Sequence, residues 1–186
     1  MSDKIKWDNR YSTNERIGGS EPSSFLYRNA ESLPVSGQAL DLAAGEGRNT
    51  VFLAKLGLNA LALDISIRAL EKSLRLARDN SVEIEAAAVD LTTFVIPPNT
   101  FDVIININYL QRDLASGIIA GLKPGGLLMF ETMTIDFLRY KPGFNPDFLL
   151  GRGELVRMFR GLHLIKYRES ILQTRAVASL IARKSE

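Results

Sequence analysis

The sequence predicts an α/β domain built on a doubly wound, mostly parallel sheet, and three observations carry that expectation. Apolar runs of strand length alternate with amphipathic helical stretches five times along the chain. The first run, Ala39 to Leu42, breaks into two glycines one residue apart, Gly45 and Gly47, and then into a helical stretch (Val51, Phe52, Ala54, Leu56) closed by Gly57. Later runs end in the polar residues Asp64, Asp90 and Asn106, as expected where ligands bind outside the carboxyl ends of parallel strands.

Each element has a local reason. Residues 1–20 form a polar arm holding the chain's only Trp, within Trp7-Asp8-Asn9-Arg10-Tyr11, and ending in Gly18-Gly19-Ser20. No core periodicity explains Trp7, which reads equally as a surface staple or as part of a ligand lid. Pro22 suits a helix start, Phe25, Leu26, Ala30 and Leu33 supply an apolar face, and Pro34 stops the helix. At the glycine turn, Gly45 and Gly47 permit dihedrals closed to other residues and bring bare backbone close to a ligand. The helix beyond offers free N–H groups to an anion. A second strand, Asn59 to Asp64, ends in a carboxylate nineteen residues after Gly45, close to the spacing at which an acidic residue reaches a ribose. Such a carboxylate accepts from both hydroxyls and repels a 2′-phosphate. Ser66 suits the cap of the next helix, with Ile67, Leu70, Leu74 and Ala77 on its apolar face.

A third strand, Glu83 to Val89, leads into Asp90-Leu91, where a carboxylate can take the exocyclic amine of an adenine and the leucine can pack on its ring. Pro97-Pro98-Asn99 marks a loop. The β-branched run Phe101 to Asn106 reads as a central strand buried on both faces, with Asn106, Asn108 and Tyr109 facing the crevice at its end. A helix through Leu114, Ile118, Ile119 and Leu122 is halted by Lys123-Pro124-Gly125-Gly126, and a fifth strand, Leu127 to Glu131, follows. Residues 132–150 read as an irregular aromatic loop carrying Tyr140, a substrate lid. A short helix (Leu155, Val156, Phe159) then precedes two strands near Leu162–Glu169 and Arg175–Arg183, joined closely enough to pair as an antiparallel hairpin at the sheet edge.

Composition narrows the class. A chain of 186 residues, 46% hydrophobic and 24% charged, is one compact domain with a large core. No apolar run approaches the roughly 20 residues needed to span a bilayer, and Met1 to Lys4 lacks the apolar core of a signal peptide. With no cysteine there is no disulfide framework, thiolate metal site or cysteine nucleophile, and carboxylates appear singly, without metal-ligand spacing. A cytoplasmic protein with no metal and no membrane partner is the expectation. A net charge of +2, from 23 basic and 21 acidic side chains, argues against a dedicated nucleic-acid binder. The basic segment Arg152 to Arg160 reads as a solvated helix face. Nothing in the sequence bears on oligomeric state.

Taken together, Asp41 to Asn49, Asp64, Asp90-Leu91, Phe101 to Asn106 and Leu122 to Gly126 resemble the ordered motifs of class I S-adenosylmethionine (SAM) methyltransferases. Thr50 stands where a dinucleotide fingerprint has its third glycine. Trp7 to Tyr11, Glu46 to Asn49 and Glu131-Thr132 resemble, more narrowly, the branch of bacterial tellurite-resistance and thiopurine methyltransferases. The resemblance implies a Rossmann-like seven-stranded sheet, order 3-2-1-4-5-7-6 with strand 7 antiparallel, and SAM as cofactor. It also implies that Trp7 and Tyr11 fold over the cofactor, making residues 1–34 an arm and helix that cover a site on the domain 35–186. It carries cofactor roles onto Gly45, Gly47, Arg48, Asp64, Asp90, Leu91 and Asn106. After the fourth strand, relatives often place a histidine or an aromatic-rich turn, where this chain has Asn108-Tyr109-Leu110-Gln111.

The implied activity is in-line methyl transfer to a small acceptor that is already a good nucleophile, with Tyr109, Glu131 and Tyr140 as candidate acceptor residues and no catalytic base assigned. The single histidine, His163, falls in the predicted edge strand and reads as a surface residue. Two alternatives stand beside this reading: a SAM-binding protein without catalysis or one that modifies RNA or protein, and a nicotinamide-dependent oxidoreductase on a similar fold.

Overall fold

The computed structural model describes residues 2–13 and 15–186. Strands Gln38–Leu42 (β1), Asn59–Asp64 (β2), Glu85–Ala88 (β3), Phe101–Ile107 (β4), Leu122–Met133 (β5), His163–Ile171 (β6) and Ala176–Arg183 (β7) form one sheet in the order β3-β2-β1-β4-β5-β7-β6. The first five run parallel, and β7 lies antiparallel to both β5 and β6. The expected fold and strand order are therefore observed.

Helices Asp3–Arg10 (α1), Ser24–Arg28 (α2), Arg48–Lys55 (α3), Ile67–Asp79 (α4), Leu114–Gly121 (α5) and Glu154–Met158 (α6) accompany the sheet. Alternation along each strand divides the core in two. Leu40, Leu42, Ile104, Leu128 and Phe130 pack with Leu114 and Ile118 of α5, with Leu155 of α6 and with Phe159 at its end. Ala39, Val103, Ile105, Leu127 and Met129 pack on the opposite side with Phe25, Leu26 and Leu53. The period of two in the strands thus sends successive side chains to two helical layers. In α4 the Ser66 hydroxyl accepts from Ala69 N–H at 3.2 Å, the expected cap.

Four local expectations need correction. The N-terminal arm contains a helix, α1, held by a Lys4–Asp8 ion pair one turn apart. The helix expected from Pro22 begins at Ser24, because Ser23 is the cap, its Oγ accepting from Leu26 N–H at 3.1 Å; it ends as a 3-10 turn over Ala30–Ser32. Residues 123–126 belong to β5: Phe101 pairs with Leu122 and Val103 with Leu127, so the four residues bulge out opposite the single Asp102. The loop after β5 is partly ordered by 3-10 turns at Ile135–Arg139 and Pro146–Phe148 and by a Thr134–Leu150 bridge.

Candidate active site

The carboxyl ends of β1 to β4 carry the expected turns. Ala43, Gly45 and Gly47 all have positive φ, at 54°, 56° and 79°. For Ala43 this is a left-handed conformation that costs an ordinary residue energy, a strain concentrated at the turn itself. The two glycines have different reasons. A Cβ on Gly45 would stand 3.0 Å from the Tyr11 hydroxyl oxygen, so this turn leaves backbone open beneath an aromatic ring. A Cβ on Gly47 would lie 2.3 Å from Ser73 Cβ in α4. Gly47 therefore lets α3 and α4 approach each other, a packing role that differs from the ligand approach expected of it.

Asp64 closes β2 and turns back onto that same loop. Its Oδ2 accepts from Gly45 N–H at 2.8 Å and its Oδ1 from Ser66 N–H at 2.9 Å. Burial pushes its carboxyl above the ordinary value against the pull of those N–H groups. Each oxygen keeps a lone pair for a further donor. After β3, Asp90 is exposed and receives the Thr92 N–H and hydroxyl on Oδ1, at 2.9 and 2.6 Å, which hold its carboxyl below the usual range and leave Oδ2 unengaged in those bonds; Leu91 beside it is buried. After β4, Asn106 is buried and donates from Nδ2 to Tyr109 C=O at 2.7 Å, bracing a turn in which Asn108 has φ 62°. The Tyr109 hydroxyl donates to Gln111 Oε1 at 2.6 Å, and Gln111 Nε2 donates to Leu91 C=O at 3.2 Å. That chain of bonds joins the turns after β3 and β4. Burial raises the Tyr109 phenol to about 12, so it stays a neutral donor.

The N-terminal segment lies on these turns. Trp7 stacks on Tyr11, with ring centroids 5.8 Å apart, and the Arg10 guanidinium stands 5.3 Å from the Trp7 ring. Asp8 Oδ1 accepts from the Ser66 hydroxyl at 2.7 Å, tying α1 to the start of α4. Burial, reinforced by the Asp64 and Glu46 charges, raises the Tyr11 phenol to about 12. The segment Glu46-Gly47-Arg48-Asn49 fastens the chain that follows α1. Glu46 Oε2 accepts from Ile17 and Gly18 N–H at 2.8 and 3.2 Å, Arg48 donates to Gly18 C=O at 2.9 Å, and Asn49 Oδ1 accepts from Ser23 N–H at 2.8 Å. Lys72 of α4 completes the Glu46 site at 2.8 Å. The clip role of Glu46 and Asn49 and the Asp8–Ser66 bond escaped the sequence reading, because their partners lie dozens of residues away.

The remaining candidates lie elsewhere. Glu131 of β5 is buried beside the turn after β4, whose Asn108 N–H donates to the Glu131 C=O at 2.8 Å. Tyr140 is exposed and its hydroxyl donates to Leu172 C=O, so it fastens the loop after β5 to the β6–β7 hairpin. His163 is exposed and pairs with Arg183, which also pairs with Leu127, placing it toward the amino end of β5, opposite the glycine turn.

Comparison with known protein families matches residues 39–126, from β1 into the bulge of β5, to a model described as a methyltransferase domain. Just under half of the chain is thus similar to a methyltransferase domain. The methyltransferase fold extends over nearly the whole chain. The N-methyltransferase NodS from Bradyrhizobium japonicum, solved with S-adenosylhomocysteine, superposes with a TM-score of 0.75 at 16% identity, covering 98% of each chain. TehB from Haemophilus influenzae superposes at 0.74 and 19% identity, over 98% of this chain and 67% of that one. Hemagglutinin 1 of Eikenella corrodens is 27% identical over 143 residues, 72% of this chain; the chain spans 46% of that curated relative's length. The donor set of the methyltransferase domain suits a nucleoside ligand: two carboxylates with free lone pairs follow β2 and β3, and the open Gly45 backbone lies under Tyr11.

Asp41, at the head of the glycine turn, lies below the crevice. It is 2% exposed, its Oδ2 accepts from the Thr50 hydroxyl at 2.7 Å, and burial pushes its carboxyl up to about 7. The unfolded chain releases that proton near pH 4, so between about pH 4 and 7 the native state holds more protons and stability falls as pH rises. Asp41→Asn removes this contribution. Urea unfolding at pH 5 and pH 8 should show wild type losing about 3 kcal/mol more than the variant between the two. Equal losses would mean that Asp41 is ionised throughout.

Proposed function

We propose that this protein transfers the methyl group of SAM to a small nucleophilic acceptor in the cytoplasm. The observation that carries the reading is the convergence, under α1 and Tyr11, of the open Gly45 turn with Asp64, Asp90 and Asn106 at the carboxyl ends of consecutive strands in the sheet. When bound, SAM supplies a methyl group on a sulfonium whose departure leaves a neutral thioether, so alignment and exclusion of water are the protein's main tasks. Asp64 binds the ribose hydroxyls, Asp90 the adenine amine and Leu91 its ring face. Gly45 and Arg48 attend the amino-acid end, and Trp7 and Tyr11 shut out water. Asn106 holds the turn that presents Tyr109, and Tyr109 and Glu131 border the acceptor.

A small acceptor is favoured over RNA because the basic and acidic side chains nearly balance, 23 against 21, and the basic segment near α6 lies among acidic partners: Arg152 stands 3.9 Å from Asp136, and Glu154 pairs with Arg112. The absence of cysteine supports the cytoplasmic placement. Among the described residues no helix is long and apolar enough to cross a membrane.

Calorimetric titration with SAM, S-adenosylhomocysteine, NAD and NADP tests the reading. Micromolar binding of the two sulfur nucleosides alone is expected. Binding of a nicotinamide nucleotide alone would replace the proposal with an oxidoreductase.

A further inference from the structure

Glu131 Oε1 is the one buried side-chain oxygen or nitrogen without a hydrogen-bond partner among the described residues. The residue is 4% exposed, and its other oxygen, Oε2, accepts from the Ser179 hydroxyl at 2.6 Å. A buried carboxylate oxygen left unpaired costs free energy, so a native structure keeps one where something outside the chain completes it. The nearest cation falls short: Arg175 Nη2 stands 3.8 Å away, an attraction between charges without a hydrogen bond, and its side chain is about one-third exposed.

Position indicates what the partner belongs to. Glu131 pairs with Ile107, the last residue of β4, at the level of the turn that carries Asn108 and Tyr109. Its side chain shares the sheet face of Leu127, Met129 and Ile105, the face covered by α2 and α3. The glycine turn after β1 lies two strands away, roughly 10 Å at ordinary strand spacing, with β4 between. A ligand whose amino-acid end rests on the Gly45 turn leaves Glu131 to the acceptor.

Resting on the methyltransferase reading, we propose that Glu131 Oε1 receives an N–H of the acceptor, and that the acceptor is therefore a primary or secondary amine. A carboxylate oxygen can only accept, so the missing partner is a donor. A neutral amine meets both demands from one atom: it gives an N–H to Glu131 while its lone pair forms the new N–C bond as the methyl–sulfur bond breaks, leaving a neutral thioether and an N-methylammonium product that carries its proton away. A thiolate or a chalcogen oxyanion, reactive only when negative, has no hydrogen to give and is repelled by the carboxylate.

The test compares wild type, Glu131→Gln and Arg175→Ala in three measurements: S-adenosylhomocysteine affinity, urea midpoint, and product release with matched small amines, thiols and alcohols. Amines alone should be turned over. Glu131→Gln should lower kcat/KM for the amine by about 30-fold, mainly through KM, as loss of a hydrogen bond to a charged group predicts. Its S-adenosylhomocysteine affinity should be unchanged and its urea midpoint not lowered. A fall in midpoint in both variants would make the pair with Arg175 structural and overturn the proposal. Turnover of thiols or alcohols but no amine, or no amine turnover by a wild type that binds S-adenosylhomocysteine, would overturn it while leaving the cofactor reading intact. A wild type that binds neither sulfur nucleoside would remove both.

Discussion

Gly47→Ala is expected to cost about 3 kcal/mol or more, a large share of the stability of an ordinary domain. Two terms add. Alanine at φ 79° enters the left-handed region, at roughly 1–2 kcal/mol. Its Cβ would also lie 2.3 Å from Ser73 Cβ and 2.9 Å from Ser73 Cα, an overlap that forces α3 and α4 apart and costs roughly 1–3 kcal/mol. Gly45→Ala shares the left-handed cost of roughly 1–2 kcal/mol, at φ 56°, but meets only the end of the Tyr11 side chain, its hydroxyl oxygen at 3.0 Å, so it should be less destabilised than Gly47→Ala and lose ligand affinity besides. Urea unfolding separates the two. Ser73→Gly in the Gly47→Ala background should recover part of the loss, because it removes the Cβ and leaves the Cα. Equal stability of both alanine variants would refute the packing role.

The contrast between these glycines shows where sequence is informative. The strand–helix alternation and the crevice were legible because they rest on local signals: the apolar run Ala39 to Leu42, the continuous β-branched run Phe101 to Asn106, the turn glycines, and polar residues ending the strands; the strand order was implied by the family resemblance. Asp64 was legible as a strand-end carboxylate, but its bonds to Gly45 and Ser66 depend on how the first two strands align. Ala43 hid a left-handed residue behind a side chain that gives no hint of it. Helix α1 was invisible because none of its residues is buried and its support, Asp8 on Ser66, spans 58 residues. Glu131 was legible as a polar residue at the end of the fifth strand, yet that one of its oxygens lacks a partner is a property of three-dimensional packing alone.

Glu46→Ala, one residue from Gly47, should fail differently. The Glu46 carboxylate is buried and gathers three donors: the N–H groups of Ile17 and Gly18 and the ammonium of Lys72, whose side chain is only 12% exposed. Removing it strands a nearly buried cation that keeps Glu15 C=O at 2.9 Å as its remaining bond, and breaking a buried pair from one side costs about 3 kcal/mol. It also frees the arm that holds Tyr11 over Gly45. Ile17 and Gly18 N–H lose their anchor, leaving Arg16, which bonds Glu46 C=O and Lys72 C=O at 3.1 and 3.0 Å, together with Arg48 on Gly18 C=O and Asn49 on Ser23 N–H, to hold the chain. We therefore expect two separable results, a lower urea midpoint and faster proteolysis within residues 12–23, together with at least a tenfold loss of SAM affinity. Glu46→Gln keeps acceptors for the two N–H groups but cannot neutralise Lys72, so it should retain the protected arm while losing stability. If Glu46→Ala bound SAM as tightly as wild type with its arm exposed to protease, the arm would not be a cover for the cofactor, and Trp7 and Tyr11 would revert to a surface staple.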